Sequence, residues 1–155
     1  MAEEFKLGPD EAVVLRVGKV GYGGGPQILS MFNNNELILT TKNLILLKKN
    51  MFGKTEETKY FPLADIKMVD GKPQVRKSNP AHMVHALDVY FTSGMESFEF
   101  EWENEIDDWV ANIVSVVTGV PVLRDILYLL TVSGLAWRAA APPQRRDTSQ
   151  TKKRV

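Results

Sequence analysis

Two histidines, His82 and His85, lie three residues apart and are the side chains best spaced to bind a metal ion. Imidazole nitrogens bind zinc, but a zinc site needs three or four protein ligands. The chain has no cysteine, and no third ligand follows these histidines at a typical spacing. We therefore expect no metal site and no cofactor, and we expect a loop in the segment around Pro80.

Residues 21–26 (GYGGGP) have the glycine content of a phosphate-binding loop. A phosphate-binding P-loop requires a Lys followed by Ser or Thr at the start of the next helix, because these side chains contact the phosphates and the magnesium ion. No such pair follows here. Glycine also disfavours regular structure, so the segment is interpreted as a mobile loop between strands.

Acid–base and nucleophilic chemistry have no clear candidates. The adjacent carboxylates Asp107 and Asp108 would point apart on a helix, and a position in its first turn explains them by the helix dipole. No nucleophile with a neighbouring base can be nominated. We therefore expect no enzyme, no catalytic residue and no small-molecule substrate.

Residues 42–54 contain a basic cluster, and its four lysines are candidates for weak contacts with anions. They are Lys42, Lys48, Lys49 and Lys54. The simpler interpretation is that these side chains are solvated at strand ends, where lysine discourages pairing with another sheet edge.

Composition and charge limit the class of protein. The chain has 155 residues, of which 44% are hydrophobic and 25% are charged, as in a globular domain. Residues 1–120 carry 12 Lys and Arg against 17 Asp and Glu, whereas residues 121–155 carry 7 against 2. An acidic body is a poor surface for nucleic acid. The acidic start lacks the pattern of a secretory signal, and we expect a cytoplasmic protein.

Short apolar runs separated by turn residues predict a series of β-strands. We expect strands over residues 12–20, 37–39, 44–47 and 59–61, with Lys42 and Asn43 forming the first tight turn. Residues 74–76 are expected to form an edge strand that Ser78, Asn79 and Pro80 interrupt, and Asp70 with Gly71 indicates a chain reversal.

The last predicted hairpin places Leu87, Val89 and Phe91 on one face and is followed by a helix. On its second strand, alternation puts Phe98, Phe100 and Trp102 on one face and Glu99, Glu101 and Glu103 on the other, which we expect to be wet. From residue 104 the apolar period changes to that of a helix, with Asn104 as N-cap, Trp109 as the largest buried contact and Gly119 as the stop.

This order of elements resembles the pleckstrin-homology (PH) superfold. Residues 36–45 (ELILTTKNLI) are similar to the strand, Thr-x-x-Arg/Asn-Leu, strand hairpin of bacterial PH-like and GRAM-type domains, and residues 61–66 (FPLADI) are similar to the end of one of their strands. The resemblance implies a mainly β, α+β fold: a seven-stranded, strongly bent antiparallel sheet or barrel capped by the C-terminal amphipathic helix. Some bacterial relatives form rings, which implies a homo-oligomer.

Phosphoinositide binding is a further implication of the resemblance, but the basic residues for it are sparse. Such a site requires several cations in and after the first strand, where they meet the phosphates. Arg16 and Lys19 are present, and residues 20–35 contain no Lys or Arg. The sequence therefore disfavours recognition of an inositol phosphate.

Residues 121–138 form an appended apolar segment after the domain of residues 1–120, and residues 139–155 form a polar, basic tail expected to be disordered. The spacing of apolar residues predicts a helix over residues 122–137, with Arg138 just beyond its end. Its apolar face is made of Leu123, Ile126, Leu127, Leu130 and Trp137. These residues and Arg138 are the candidate contacts with a partner or a lipid. Three interpretations remain: the helix packs on the domain or on a sister subunit, lies on a membrane surface with Trp137 and Arg138 at the interface, or spans a membrane.

The sequence therefore predicts a non-enzymatic interaction or assembly module that binds a partner protein or associates with itself. The alternative is peripheral binding to an anionic membrane through residues 122–137 and the basic tail.

Overall fold

The computed structural model describes residues 5–24 and 34–122. The chain divides into two units, residues 1–120 and 121–155. The strands of the first unit are β1 (Val13–Val20), β2 (Asn35–Thr40), β3 (Asn43–Lys49), β4 (Thr55–Pro62), β5 (Met68–Val69), β6 (Lys72–Pro73), β7 (Val75–Ala81), β8 (Val84–Phe91) and β9 (Gly94–Phe100). A short 3-10 helix (Leu63–Asp65) follows β4, and the α-helix α1 (Glu103–Thr118) follows β9.

Strands β1 to β4 form one antiparallel sheet in chain order, and β7 to β9 form a second one. The two sheets are joined where Gly21 pairs with Glu99, and Ile66, which follows β4, pairs with Phe91. The described residues contain nine strands rather than the expected seven, because β5 and β6 form an additional short pair. Asp70 and Gly71 turn the chain between them, as predicted, with φ angles of 51° and 74°.

The main core lies where the two sheets and helix α1 meet, and leucine and aromatic side chains dominate it. Its fully buried members include Leu37, Leu39, Leu44, Leu46, Leu87, Phe98, Ile106 and Ile113. Burying a side chain of this size stabilises the folded state by about 1.5–3 kcal/mol. The continuous apolar runs of β2 and β3 therefore supply the centre of the domain.

A second, smaller cluster covers the other face of β2 and β3. Ile38, Ile45 and Leu47 are fully buried there, and Phe5 of the N-terminal segment packs against them. Several hydrogen bonds tie this segment down. Among them, Lys6 N donates to the Tyr60 hydroxyl at 3.1 Å, Lys42 Nζ to the Pro9 carbonyl at 2.8 Å and the Asn43 amide to Glu11 Oε1 at 2.9 Å. Both faces of these two strands are therefore covered.

The turn between β2 and β3 differs from the predicted one. The turn residues are Thr41 and Lys42, and Asn43 is the first residue of β3, so it is not needed for a left-handed conformation. Thr40 closes the turn instead, because its Oγ1 accepts from the backbone N–H groups of Lys42 at 3.1 Å and Asn43 at 2.8 Å. A threonine hydroxyl can satisfy a tight turn in this way.

Helix α1 begins at Glu103, so the prediction of Asn104 as N-cap is wrong. Trp102 occupies the cap position with an extended backbone and makes no side-chain capping bond. Glu103 and Glu105 lie in the first turn, where acidic side chains favour the helix dipole. Gly119 ends the helix in the left-handed conformation, with φ of 74°, which glycine adopts without steric cost.

Two expectations about the last hairpin are also wrong. Trp102 was expected beside Phe98 and Phe100, yet it is 61% exposed, because it follows the end of β9 and precedes the helix. Glu99 was expected on a wet face, yet it is 8% exposed, since its backbone pairs with Gly21 across the junction of the sheets.

Strand β7 continues through the residues expected to interrupt it, Ser78, Asn79 and Pro80. It is an edge strand of its sheet, and the register shifts between Ser78 and Ala81. Proline is tolerated at an edge with a bulge because no ladder donor is needed there. The next strand, β8, begins at Val84, so His85, which was expected in a loop, lies in a strand.

Candidate interaction surfaces

The four lysines singled out in the sequence do not converge on one point. Lys42 lies in the turn before strand β3, whereas Lys48, Lys49 and Lys54 lie at or beyond its other end. Lys48 Nζ is 3.1 Å from Glu57 Oε2, and Lys49 Nζ is 3.0 Å from Glu36 Oε2. Three of the four lysines are therefore neighbours, and two of those three have carboxylate partners.

Arg16 and Lys19 of the first strand also contact carboxylates. The Arg16 guanidinium donates to Glu36, and Lys19 Nζ is 3.6 Å from Glu101 Oε2. Glu36 therefore accepts from two cations, Arg16 and Lys49. The hydrogen bond from Arg16 is the main cause that lowers the pKa of the Glu36 carboxyl, with Lys49 adding to it.

Exchanging Glu36 for glutamine is expected to lower the free energy of unfolding at pH 7 by about 1 kcal/mol, because charge-assisted hydrogen bonds become neutral ones. Folding lowers the pKa of Glu36 below 4.5. The contribution of this carboxylate is therefore complete above that pH and is lost as the pH falls through the folded-state pKa.

Urea unfolding of both proteins between pH 7 and pH 3 measures this effect. The two free energies should converge at the acidic end, and a difference that stays constant over the range would contradict the assignment. Glu57→Gln is the matched control, since its pair with Lys48 is half exposed and should contribute less.

The two histidines are placed apart by the turn between β7 and β8. His82 lies in that turn, and His85 Nε2 lies 3.9 Å from Glu103 Oε2 at the start of helix α1. Lys77 of β7 approaches the same carboxylate at 3.2 Å and Asp107 at 3.2 Å. These two carboxylates raise the pKa of the Lys77 ammonium. His85 thus lies within an ionic cluster that joins the first turn of the helix to the sheet.

The start of the glycine-rich segment is ordered, which corrects the expectation of a mobile loop for Gly21 and Tyr22. Gly21 exchanges two backbone hydrogen bonds with Glu99, at 3.0 and 2.9 Å. The Tyr22 ring stacks on Phe98 with a centroid distance of 5.4 Å, and its hydroxyl donates to Glu96 Oε2 at 2.7 Å. These contacts link β1 to the second sheet.

Sequence reasoning did not identify the most exposed apolar side chains. Phe52 and Met51, in the turn between β3 and β4, are 87% and 71% exposed, and Met83, in the turn between β7 and β8, is 80% exposed. The sequence feature that could have identified them is an apolar residue within a predicted turn, since turns usually carry Gly, Asn, Asp, Ser or Pro. These two hairpin tips and Trp102 are candidate interaction surfaces.

The contact residues proposed after the domain lie outside the described residues. They are Leu123, Ile126, Leu127, Leu130, Trp137 and Arg138. Over residues 5–24 and 34–122, no helix has both the length and the apolar character needed to cross a membrane.

A four-stranded and a three-stranded antiparallel sheet followed by a C-terminal helix define a PH-like fold, and comparison with solved structures supports this assignment. The Vps36 N-terminal PH domain matches with a TM-score of 0.57 and 13% sequence identity, over 74% of this chain and 85% of that one. At this identity the similarity shows the fold alone.

Two other PH domain structures match less well. The N-terminal PH domain of human ARAP2 gives a TM-score of 0.43 at 21% identity, over 68% of this chain and 85% of that one. The DH/PH domains of p115-RhoGEF give 0.47 at 15% identity, over 73% of this chain and 31% of that one. No protein-family model matches the chain, and no curated protein matches it in sequence.

Proposed function

We propose that this chain is a non-enzymatic PH-like interaction module that docks onto a partner protein through Met83 and Trp102. The observation that carries the proposal is the exposure of these two side chains, 80% and 61%. His85 pairs with Phe100, so Met83 and Trp102 both lie just beyond the same end of the β8–β9 ladder. Their surface is called the Trp102 surface below.

The Trp102 surface is held by the elements on both sides of it. The Asn79 side-chain amide, in the orientation that satisfies its nitrogen, donates to the Val84 carbonyl at 2.7 Å across the turn that carries Met83. Next to Trp102, Glu103 binds Lys77 at 3.2 Å. A preformed surface loses little conformational entropy on binding, and tryptophan and methionine are enriched in the centres of protein interfaces.

The charges around the Trp102 surface favour a protein partner with basic residues. Residues 101–108 carry five carboxylates. Glu101 pairs with Lys19, and Glu103 and Asp107 pair with Lys77, so two cations offset five negative charges and the rim stays acidic. An acidic rim repels anionic phosphates and accelerates association with a basic partner. We also propose that, among PH-like domains, this chain is most similar to the bacterial GRAM-type ones, on the basis of residues 36–45 and 61–66.

A photo-cross-linking phenylalanine analogue placed at Met83 tests this function in cells that express the chain. We expect a discrete cross-linked species that Trp102→Ser removes, because the two side chains belong to one surface. The same analogue at Val69, which is 53% exposed, is the control. Equal products from both positions, or a product unaffected by Trp102→Ser, would reject the Trp102 surface.

Self-association is one form of this proposal, with a second copy as the partner. Light scattering of the native chain and of Trp102→Ser measures it. A multiple of the monomer mass that falls to the monomer in the variant identifies a homo-oligomer built on this surface.

The membrane alternative rests on the apolar pattern of residues 122–137 and the positive charge that follows them. Removing the residues after Gly119 distinguishes membrane binding through this segment from assembly of copies of the chain through it. Loss of vesicle binding at unchanged native mass supports the membrane alternative, whereas collapse of an oligomer to a monomer supports an assembly role for this segment.

A further inference from the structure

The turn between strands β3 and β4 presents two adjacent apolar side chains to solvent. Phe52 is 87% exposed and Met51 is 71% exposed. Single exposed apolar residues are common and need no explanation. Two neighbours at a hairpin tip, where polar residues are the rule, are less ordinary and require a physical account.

The tip is fixed by a set of hydrogen bonds centred on Asn50. Its Oδ1 accepts from the backbone N–H groups of Phe52 and Lys54, both at 3.0 Å. The Gly53 N–H donates to the Asn50 carbonyl at 3.0 Å, and the Asn50 N–H donates to the Lys54 carbonyl at 2.9 Å. Gly53 has a φ of 78°, which suits glycine. The exposure of Phe52 and Met51 is therefore built into the turn.

The shape of the tip limits what can cover it. Lys49 and Thr55 form the last pair of the β3–β4 ladder, so residues 50–54 project beyond the sheet. A projecting pair of side chains contacts little of a protein surface unless that surface has a matching pocket. A lipid bilayer needs no such pocket, because its interface admits apolar side chains at the boundary of headgroups and acyl chains.

The charged residues near the tip also favour a lipid bilayer as its binding partner. Residues 48–57 carry three Lys and two Glu, whereas residues 5–24 and 34–122 together carry 12 Lys and Arg against 15 Asp and Glu. Lys49 is paired with Glu36, so Lys54 and the surface-paired Lys48 are the cations that the tip can present, within a domain that is acidic as a whole. Lysines beside an apolar tip can place their ammonium groups among anionic headgroups while their stems follow the apolar side chains.

We propose that the Met51–Phe52 tip inserts into the interface of an anionic bilayer, with Lys48 and Lys54 contacting its headgroups. The pair between Lys48 and Glu57 lies at the surface, where such pairs are weak, so Lys48 can exchange its partner for a lipid phosphate. This inference does not depend on the Trp102 surface or on the residues after 122.

Co-sedimentation of the full chain with three kinds of vesicle tests the proposal: phosphatidylcholine alone, phosphatidylcholine with phosphatidylserine, and phosphatidylcholine with a phosphoinositide. We expect binding to the anionic vesicles, and the double variant Met51→Ser/Phe52→Ser should weaken it by about tenfold, because two apolar side chains lose their burial. Lys54→Glu should weaken binding mainly at low salt. Val69→Ser, at an exposed apolar residue outside both the tip and the Trp102 surface, is the matched control and should leave binding unchanged.

Three results would overturn the proposal. The first is an absence of binding to anionic vesicles, and the second is equal binding by the native chain and the double variant, which would assign the membrane contact to another part of the chain. The third is binding only to vesicles that contain a phosphoinositide, unaffected by the double variant, which would indicate recognition of a headgroup instead of insertion. In a separate measurement, Phe52→Trp in a Trp102→Phe/Trp137→Phe background should shift the tryptophan emission to the blue on anionic vesicles, with the buried Trp109 as a constant contribution that the same background without Phe52→Trp records.

Discussion

Replacing Trp109 by alanine is expected to lower the free energy of unfolding by about 3–5 kcal/mol, the usual cost of truncating a buried tryptophan. The Trp109 side chain is 3% exposed and meets Phe100 edge to face with a centroid distance of 5.7 Å. It lies between Ile106 and Ile113 on the buried face of the helix. Urea unfolding followed by far-ultraviolet circular dichroism measures the loss.

Trp102→Ala is the matched control for this change. Because Trp102 is 61% exposed, its removal should alter stability by no more than about 0.5 kcal/mol, as for most surface substitutions. Equal losses from the two variants would contradict the packing of helix α1 described above. A stable Trp102→Ala protein would also permit the docking experiments without the complication of unfolding.

Replacing Phe98 by alanine is expected to have an effect of similar size, about 3–5 kcal/mol. Phe98 is fully buried, and it stacks on Tyr22 and meets Phe61 edge to face at 5.9 Å. These rings come from β9, from the segment after β1 and from β4, so the substitution weakens the contact between the two sheets. The midpoint of urea unfolding provides the measurement.

Phe52→Ala is the control for Phe98→Ala, since Phe52 is 87% exposed and should contribute little to folding. Phe98→Leu provides an intermediate case that retains most of the apolar volume. The unfolding midpoint should be highest for the native chain and nearly as high for Phe52→Ala. It should be lower for Phe98→Leu and lowest for Phe98→Ala. A large loss in Phe52→Ala would show that the tip packs on the domain, and would remove the basis for insertion into a membrane.

The periodicity of the sequence predicted most of the strands and helix α1, because burial imposes these periods on the chain. Trp102 shows where this reasoning stops. It lies seven residues before Trp109, a spacing that places two helical residues on one face. Trp102 is extended, with φ of −121° and ψ of 123°, so the helical period does not apply to it.

Contacts between segments distant in sequence were the part that could not be predicted. Nothing near Gly21 indicates that its backbone pairs with Glu99, 78 residues later, or that this pairing orders Tyr22 and buries Glu99. Similarly, the partners of Lys48 and Lys49, which are Glu57 and Glu36, come from neighbouring strands. The basic cluster was visible in the sequence, while its partial neutralisation was not.

The candidate surfaces had only a weak signal in the sequence. Asn50 and Gly53 predicted a turn, and the apolar Met51 and Phe52 between them could have attracted attention, but exposure depends on what packs over a turn. Met83 was obscured by the expectation of a loop around Pro80. Turn residues that are apolar where local chemistry requires polarity are therefore useful markers of interaction surfaces in small β domains.

The cover that Phe5 places over Ile38, Ile45 and Leu47 determines where the domain can be shortened. Phe5 is held in place by the neighbouring hydrogen bond from the Lys6 N–H to the Tyr60 hydroxyl. Because Phe5 and Lys6 lie outside the strands and the helix, proteolysis or an N-terminal truncation removes them without breaking the sheet. Trimming would leave an apolar strip on the middle strands of the first sheet facing water. Shortened forms would then adhere to one another through that strip, and a gain in apparent oligomerisation would reflect lost cover rather than a native interface.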